Sequence, residues 1–350
     1  EDGIRDHCVT GVQTCALPIS LALLAAGPAG AWAVADRVPW AAPLPRAKGA
    51  LVAQAAGDIP AEVQGWFDGA KAAAARGDGA QALELQKRVV AWLEANPGTS
   101  EASLVFRARA LNLLGVVLSS AGQNHEALAP TLNAIGLLRP LEGRSVEARR
   151  FLAMALNNLG NRYSDLGRHQ EALFPTKEAA KIYRELAKSN TDFLSDLANA
   201  LNNLGMRYSE LGRRQEALPP AEEAVKIYRE LAKTNTVHLY DLANTLNNLG
   251  VSYSDLGRLQ EAIAPAEEAT KIFRELAKSN TSYLDDLANA LNNLGVLYSD
   301  LGRRQEALPP TEEAAKVYRE LAKTKTAYLG DLARAQANLG KFLKIGRAHV

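Results

Sequence analysis

Thiols are almost absent from this chain: of 350 residues only Cys8 and Cys15 are cysteine, and the body of the sequence has none. A disulfide framework or a cysteine-based metal site is therefore excluded beyond the first fifteen positions, since no third thiol and no clustered histidine completes one. The five histidines, His7, His125, His169, His238 and His349, are scattered. No pair of them falls at helical spacing, and no glycine-rich phosphate loop or nucleophile elbow is present. The chain is thus read as a non-enzyme that needs no cofactor and no metal, with His125 and His169 expected as solvated turn residues. One-signed charge is lacking too: 40 Lys and Arg stand against 39 Asp and Glu, for a net charge of +1 without long runs of either sign. Such a balance supplies no field to gather nucleic acid or an anionic membrane, so no nucleic-acid partner is expected.

Aromatic residues make up only 6% of the chain, while Ala, Leu and Glu dominate its body, the composition of packed helices rather than of a β-sandwich. A repeat is plain. The segment LNNLG ends at Gly160, Gly205, Gly250 and Gly295, with LNLLG ending at Gly115 and QANLG at Gly340, a step of 45 residues. Turn glycines Gly122, Gly167, Gly212, Gly257 and Gly302 keep the same step, each followed by an acid-Ala-aliphatic trio, and Gly77 lies one period upstream. Within a unit, Leu197, Leu201, Leu204, Tyr208 and Leu211 share one face of a first helix, A, expected to start and be capped near Thr191-Asp192 and to end at Gly212. A second helix, B, carries Ala217, Leu218, Ala221, Ala224, Val225, Tyr228 and Leu231 as its own stripe. Pro130, Pro175, Pro220, Pro265 and Pro310 recur early in B, which predicts a bent or late-starting helix. Small residues Ala198, Gly205, Ala217 and Ala224 mark where A and B approach closely. Two amphipathic helices cannot bury their stripes alone, so the units must stack.

The order Leu204-Gly205-x-x-Tyr208, then Ala217, then Ala224, recurring from about residue 61 to 344, resembles the tetratricopeptide repeat. The unit is longer than the family's usual repeat of about 34 residues. Arg229 and its equivalents stand where the family closes its repeat with proline. The LNNLG core and the early proline of B look most like the kinesin-light-chain type of the family. That resemblance implies an all-α, right-handed α-solenoid of antiparallel helix pairs, and a peptide or partner protein held in its concave groove.

Opposite the leucine stripe, helix A carries Asn199, Asn202, Met206, Ser209 and Glu210; Asn157, Asn247 and Asn292 repeat the second of these positions, and Asn244 and Asn289 the first. Helix interiors disfavour asparagine, whose amide competes for backbone hydrogen bonds, so the ladder needs a reason. Carboxamides that both donate and accept suit the backbone of an extended peptide. The acids Asp165, Glu210, Asp255 and Asp300, one turn further along, would favour a basic ligand. The neighbouring column, Asn158, Asn203, Asn248 and Asn293, has a plainer reading, hydrogen bonding between adjacent repeats.

The two ends stand apart. Residues 14 to 19 and 345 to 350 are encodable by opposite strands of one DNA sequence, which resembles a common short-read sequencing adapter, as do the codons for residues 1 to 6. Residues 1–19 and 345–350 are accordingly expected to be translated adapter, leaving a natural cysteine count of zero and a protein longer on both sides. Residues 20–35, SLALLAAGPAGAWAVA, are apolar and uncharged, and are expected to be a truncated signal or membrane segment, with a linker over 36–60 and the repeats over 61–344. An exported or membrane-anchored chain follows from that reading, and a cytoplasmic one from the alternative of a buried or linker helix. Helix A at Asp331 to Lys344 is expected without a B helix to cover it. Three functions fit: an interaction scaffold, the regulatory or sensor part of a signalling enzyme such as a membrane-anchored kinase, or a self-assembling solenoid whose oligomeric state these residues do not fix.

Overall fold

The computed structural model describes residues 59–347, and all regular structure in that range is helical. Its A helices are α1 (Ala61–Ala75), α3 (Glu101–Ser120), α5 (Val146–Asp165), α7 (Leu194–Glu210), α9 (Leu239–Asp255), α11 (Leu284–Asp300) and α13 (Leu329–Arg347). The B helices between them are α2 (Gly79–Ala95), α4 (Asn124–Leu138), α6 (His169–Ser189), α8 (Arg214–Thr234), α10 (Leu259–Ser279) and α12 (Arg304–Thr324). Each helix packs on the one before and the one after it, which makes a right-handed solenoid of antiparallel pairs. Successive A helices also touch one another, whereas successive B helices scarcely meet, so the A helices line the inner, concave side. The readings of residues 1–19, 20–35 and nearly all of 36–60, and the side chains of 345–350, lie outside the described residues.

Both stripes go where their spacing points. In α7, Leu197, Leu201 and Tyr208 are buried and Leu204 half-buried; in α8, Ala217, Leu218, Ala221, Ala224, Val225 and Tyr228 are buried. Removing a leucine side chain such as Leu201 from water contributes about 2 kcal/mol. Among the described residues one helix, α3, is long and apolar enough to cross a membrane; most of its side chains form repeat core. All six glycines that close the A helices, from Gly77 to Gly302, take φ between 70° and 78°, the left-handed cap that a side chain would strain. At the pair contact, a Cβ on Gly205 would sit 3.2 Å from the Ala217 carbonyl oxygen, so the missing side chain sets how closely α7 and α8 approach.

Two local expectations are corrected. Helix α7 is preceded by a 3-10 turn, Thr191–Phe193, and the cap is Asn190, whose Oδ1 accepts from the Asp192 backbone N–H at 2.9 Å. Asn235 and Asn280 do the same at 3.1 and 2.9 Å, and the short carboxamide succeeds where Thr191 lies inside the turn. The prolines neither start nor delay helix B: α8 begins at Arg214, six residues before Pro220. The earlier turn must be helical because it carries the buried Ala217 and Leu218, and the Arg213 carbonyl anchors it by accepting from the Glu216 and Ala217 N–H groups at 3.1 Å. In α8 two donors are lost, at Pro219 and Pro220, opposite the solvent-exposed Gln215 and Glu216, whose carbonyls water can satisfy.

Arg229 has a use that proline would lack. It reaches the next B helix, with Nε 3.3 Å from Glu268 Oε1, as Arg184 reaches Glu223 at 2.6 Å and Arg274 reaches Glu313 at 2.8 Å. The outer face is therefore stitched by a repeating Arg–Glu pair where the B helices hardly touch. Each exposed pair contributes about 0–1 kcal/mol, so the array is steered more than held by them.

Candidate binding groove

The concave face is built from the A-helix positions opposite the leucine stripe, and its asparagines bond to each other across the repeats. At the five junctions from α3 to α13 the second-column residue donates from Nδ2 to the first-column Oδ1 of the preceding repeat: Asn158 to Asn112 at 3.2 Å, Asn203 to Asn157 at 3.1 Å, Asn248 to Asn202 at 3.1 Å, Asn293 to Asn247 at 3.2 Å and Asn338 to Asn292 at 3.0 Å. The plainer reading of the second column is thus what the structure shows. It also engages the first column, since Asn157, Asn202, Asn247 and Asn292 each spend an acceptor on the ladder, and Asn157 and Asn292 are buried. Asn199 is occupied as well, its Oδ1 lying 3.3 Å from Asn203 Nδ2 and 3.4 Å from Asn157 Nδ2. Asn244 and Asn289, on the same column as Asn199, are half-buried and make no side-chain hydrogen bond to another described residue. Met206 lies against the ladder, its sulfur 3.7 Å from Asn248 Nδ2.

Arg162 and Arg207 are a feature that sequence reasoning missed. Both are buried on the inner face, where Nη1 donates to the backbone carbonyl of the core glycine one repeat back, Arg162 to Gly115 at 3.2 Å and Arg207 to Gly160 at 3.3 Å. Burial lowers both guanidinium pKa values, and acids one turn on oppose it, Asp165 at 3.6 Å from Arg162 and Glu210 at 3.0 Å from Arg207. An arginine three residues before an acid was the available signal, readable only once both were known to point inward.

The acid column is accordingly of two kinds. Asp165 accepts from Ser119 Oγ at 3.1 Å, and Glu210 accepts from Ser164 Oγ at 2.7 Å and contacts His169 Nδ1 at 3.2 Å. His169 is thus paired and only part exposed, while His125 is exposed as expected. In the next two repeats the arginine is replaced by Ser252 and Leu297, and Asp255 and Asp300 have no such partner. Asp255 Oδ1 is enclosed without a hydrogen bond; Asp300 is exposed. Burial pushes the Asp255 carboxyl above the usual aspartate range, opposed by Arg214. Among the described residues no three His, Cys, Asp or Glu gather as a metal site.

This stacked-pair geometry agrees with the family models. Models described as tetratricopeptide repeat match residues 152–190 and 197–237, and a further one matches residues 241–320. The chain is a tetratricopeptide repeat protein. As a TPR array it is similar to solved structures that share the fold at low identity. One is BtubC (BKLC) from P. vanneervenii, 20% identical, covering 70% of this chain and 90% of that one, with a TM-score of 0.54. Another is a Rap protein complexed with competence and sporulation factor, 16% identical over 80% of this chain and 76% of that one, with a TM-score of 0.52. A third is a signal transduction ATPase with numerous domains and a tetratricopeptide repeat sensor, from Pyrococcus horikoshii; it is 17% identical over 80% of this TPR chain and 41% of its own length, with a TM-score of 0.55. No curated protein matches the chain.

Proposed function

We propose that this TPR solenoid is an interaction scaffold whose concave face holds an extended segment of a partner protein, without catalysis of its own. The observation that carries the reading is the pair Asn244 and Asn289. They stand on the inner face one repeat apart, and their carboxamides are not engaged by the ladder that occupies the neighbouring columns. A half-buried amide with open donors and acceptors is matched by peptide backbone, which recurs in any extended sequence. Asp255 and Asp300, about three turns further along the same helices, give the ligand a basic preference. The remaining predicted contacts divide by role: Asn157, Asn202, Asn247 and Asn292 hold the repeats in register and offer a ligand only what the ladder leaves over, while Asn199, Met206 and Glu210 form the flanking wall. Residues 20–35 would present such a groove from an exported or membrane-anchored chain; recovery of the native gene product wholly in the cytosol would remove that part.

The test is panning of a random peptide library against the chain, followed by affinity measurement with the double variant Asn244→Ala, Asn289→Ala. Selected peptides are expected to bind the variant roughly tenfold more weakly or worse, the loss of one or two hydrogen bonds. Unchanged affinity in a folded variant refutes the groove.

A further inference from the structure

The chain's own arginines show what the inner face accepts at the edge of the groove. At two successive junctions, a guanidinium enters between adjacent A helices, donates to a core glycine carbonyl and meets an acid one turn on. At the third junction every receiving group recurs and the guanidinium does not. Gly205 offers the corresponding carbonyl, Asp255 the corresponding acid, and the arginine position is Ser252, whose Oγ turns back to the Asn248 carbonyl at 2.9 Å. Serine is shorter than arginine by the whole stem and head group. One carboxylate oxygen of Asp255 is left enclosed with no donor, a state that costs free energy until something cationic arrives. Arg214 attracts Asp255 and forms no ion pair with it. One junction further, where Leu297 replaces the arginine, a cavity of about 20 Å³ persists between Gly250, Ser254, Ala266, Asn293 and Leu297. That gap is water-sized, so at this junction the neighbouring side chains have not fully closed over the missing arginine.

We propose that the slot between α7 and α9 at Ser252 and Asp255 is a receptor for an arginine side chain of the bound segment, which takes the place Arg162 and Arg207 hold in the preceding repeats. The inference rests on the groove reading above and names the side-chain class that the groove selects. Arginine is favoured over lysine because the site presents a carbonyl and a carboxylate to separate nitrogens of one planar head, an arrangement the ammonium point charge does not match. Met206, whose sulfur lies 3.7 Å from Asn248 Nδ2 one turn before Ser252, flanks the methylene stem.

Met206 also supplies the probe. The chain has two methionines, Met154 and Met206, so methyl-labelled methionine gives one signal at the slot and one reference on α5. The full chain is titrated with the capped tripeptide Gly-Arg-Gly and with its citrulline and lysine twins. A saturable shift of the Met206 methyl with arginine is expected, roughly tenfold weaker with either twin, and little change at Met154. Ser252→Arg should abolish the response by filling the slot with the chain's own guanidinium. Asp255→Asn should weaken it about tenfold, and serves alone should Ser252→Arg not fold. Equal response to arginine and citrulline, or a response intact in Ser252→Arg, overturns the proposal. Library peptides that depend on Asn244 and Asn289 but bind Ser252→Arg as well as the parent chain would leave the groove standing and remove only the slot.

Discussion

Asn112 and Asn158 allow the asparagine ladder to be weighed against its alternative. Both are buried, and Asn158 Nδ2 donates to Asn112 Oδ1 at 3.2 Å. Replacing Asn112 by alanine leaves the Asn158 amide enclosed without its acceptor, a cost of about 1–3 kcal/mol, offset by about 0.5 kcal/mol of better helix propensity. Asn158→Ala strands the Asn112 oxygen at similar cost. The double variant loses one neutral hydrogen bond of about 1 kcal/mol, strands nothing, and gains propensity twice. Its destabilisation should therefore fall about 3 kcal/mol short of the sum of the single variants, the propensity gains cancelling. Urea unfolding of the four proteins, fitted with nearest-neighbour coupling because stacked repeats need not unfold as one, measures that shortfall. Additivity within about 0.3 kcal/mol would mean that the ladder holds nothing, and the asparagines would revert to free ligand contacts.

Three further outcomes follow from particular contacts. A Cβ on Gly160 would overlap Thr176 Oγ1 and approach the Ala172 carbonyl oxygen to 3.1 Å, so Gly160→Ala should cost about 1–3 kcal/mol in thermal or urea unfolding. Adding Thr176→Ala should recover most of that loss, since the Gly205 site already faces Ala221 at a tolerable 3.5 Å; no recovery would place the clash elsewhere. Lys325 stands where Asn190, Asn235 and Asn280 cap the other 3-10 turns, and Lys325→Asn should gain about 0.5–1 kcal/mol, read as a higher melting temperature. Asp255→Asn addresses pH. Because burial raises this carboxyl's pKa in the folded chain, native stability is lost as pH climbs from the unfolded value of about 4 through the raised one. The variant should thus be more stable than the parent at pH 7, with the advantage gone in acid; a less stable variant at pH 7 would show that Asp255 is favourably paired.

How much was legible depends on the reach of the interaction. The 45-residue step, the two helices, their buried stripes and the left-handed glycines were all readable, because each depends on residues within one or two helical turns. Helix B's true start was not, since the need to bury Ala217 and Leu218 against α7 outweighs the preference of Pro220 for a first turn. Capping went to Asn190 instead of Thr191 by a one-residue shift that the 3-10 turn introduces. The asparagine columns were found, and hydrogen bonding between adjacent repeats was read for the second of them, but not that its acceptor is the first column of the preceding repeat. The buried Arg162 and Arg207 were overlooked, as nothing within their own helix distinguishes them from surface arginines.

By itself the sequence determined the repeat, the all-α class and the face each helix buries, because amphipathic spacing and turn chemistry act over a few residues and recur at a constant step. Only the tertiary structure decided which polar residues remain for a partner. That choice depends on the stagger between neighbouring A helices, which sets a second-column asparagine against a first-column one, lets Arg162 and Arg207 reach a glycine carbonyl in the previous repeat, and leaves Asn244, Asn289 and Asp255 with hydrogen-bonding capacity unspent.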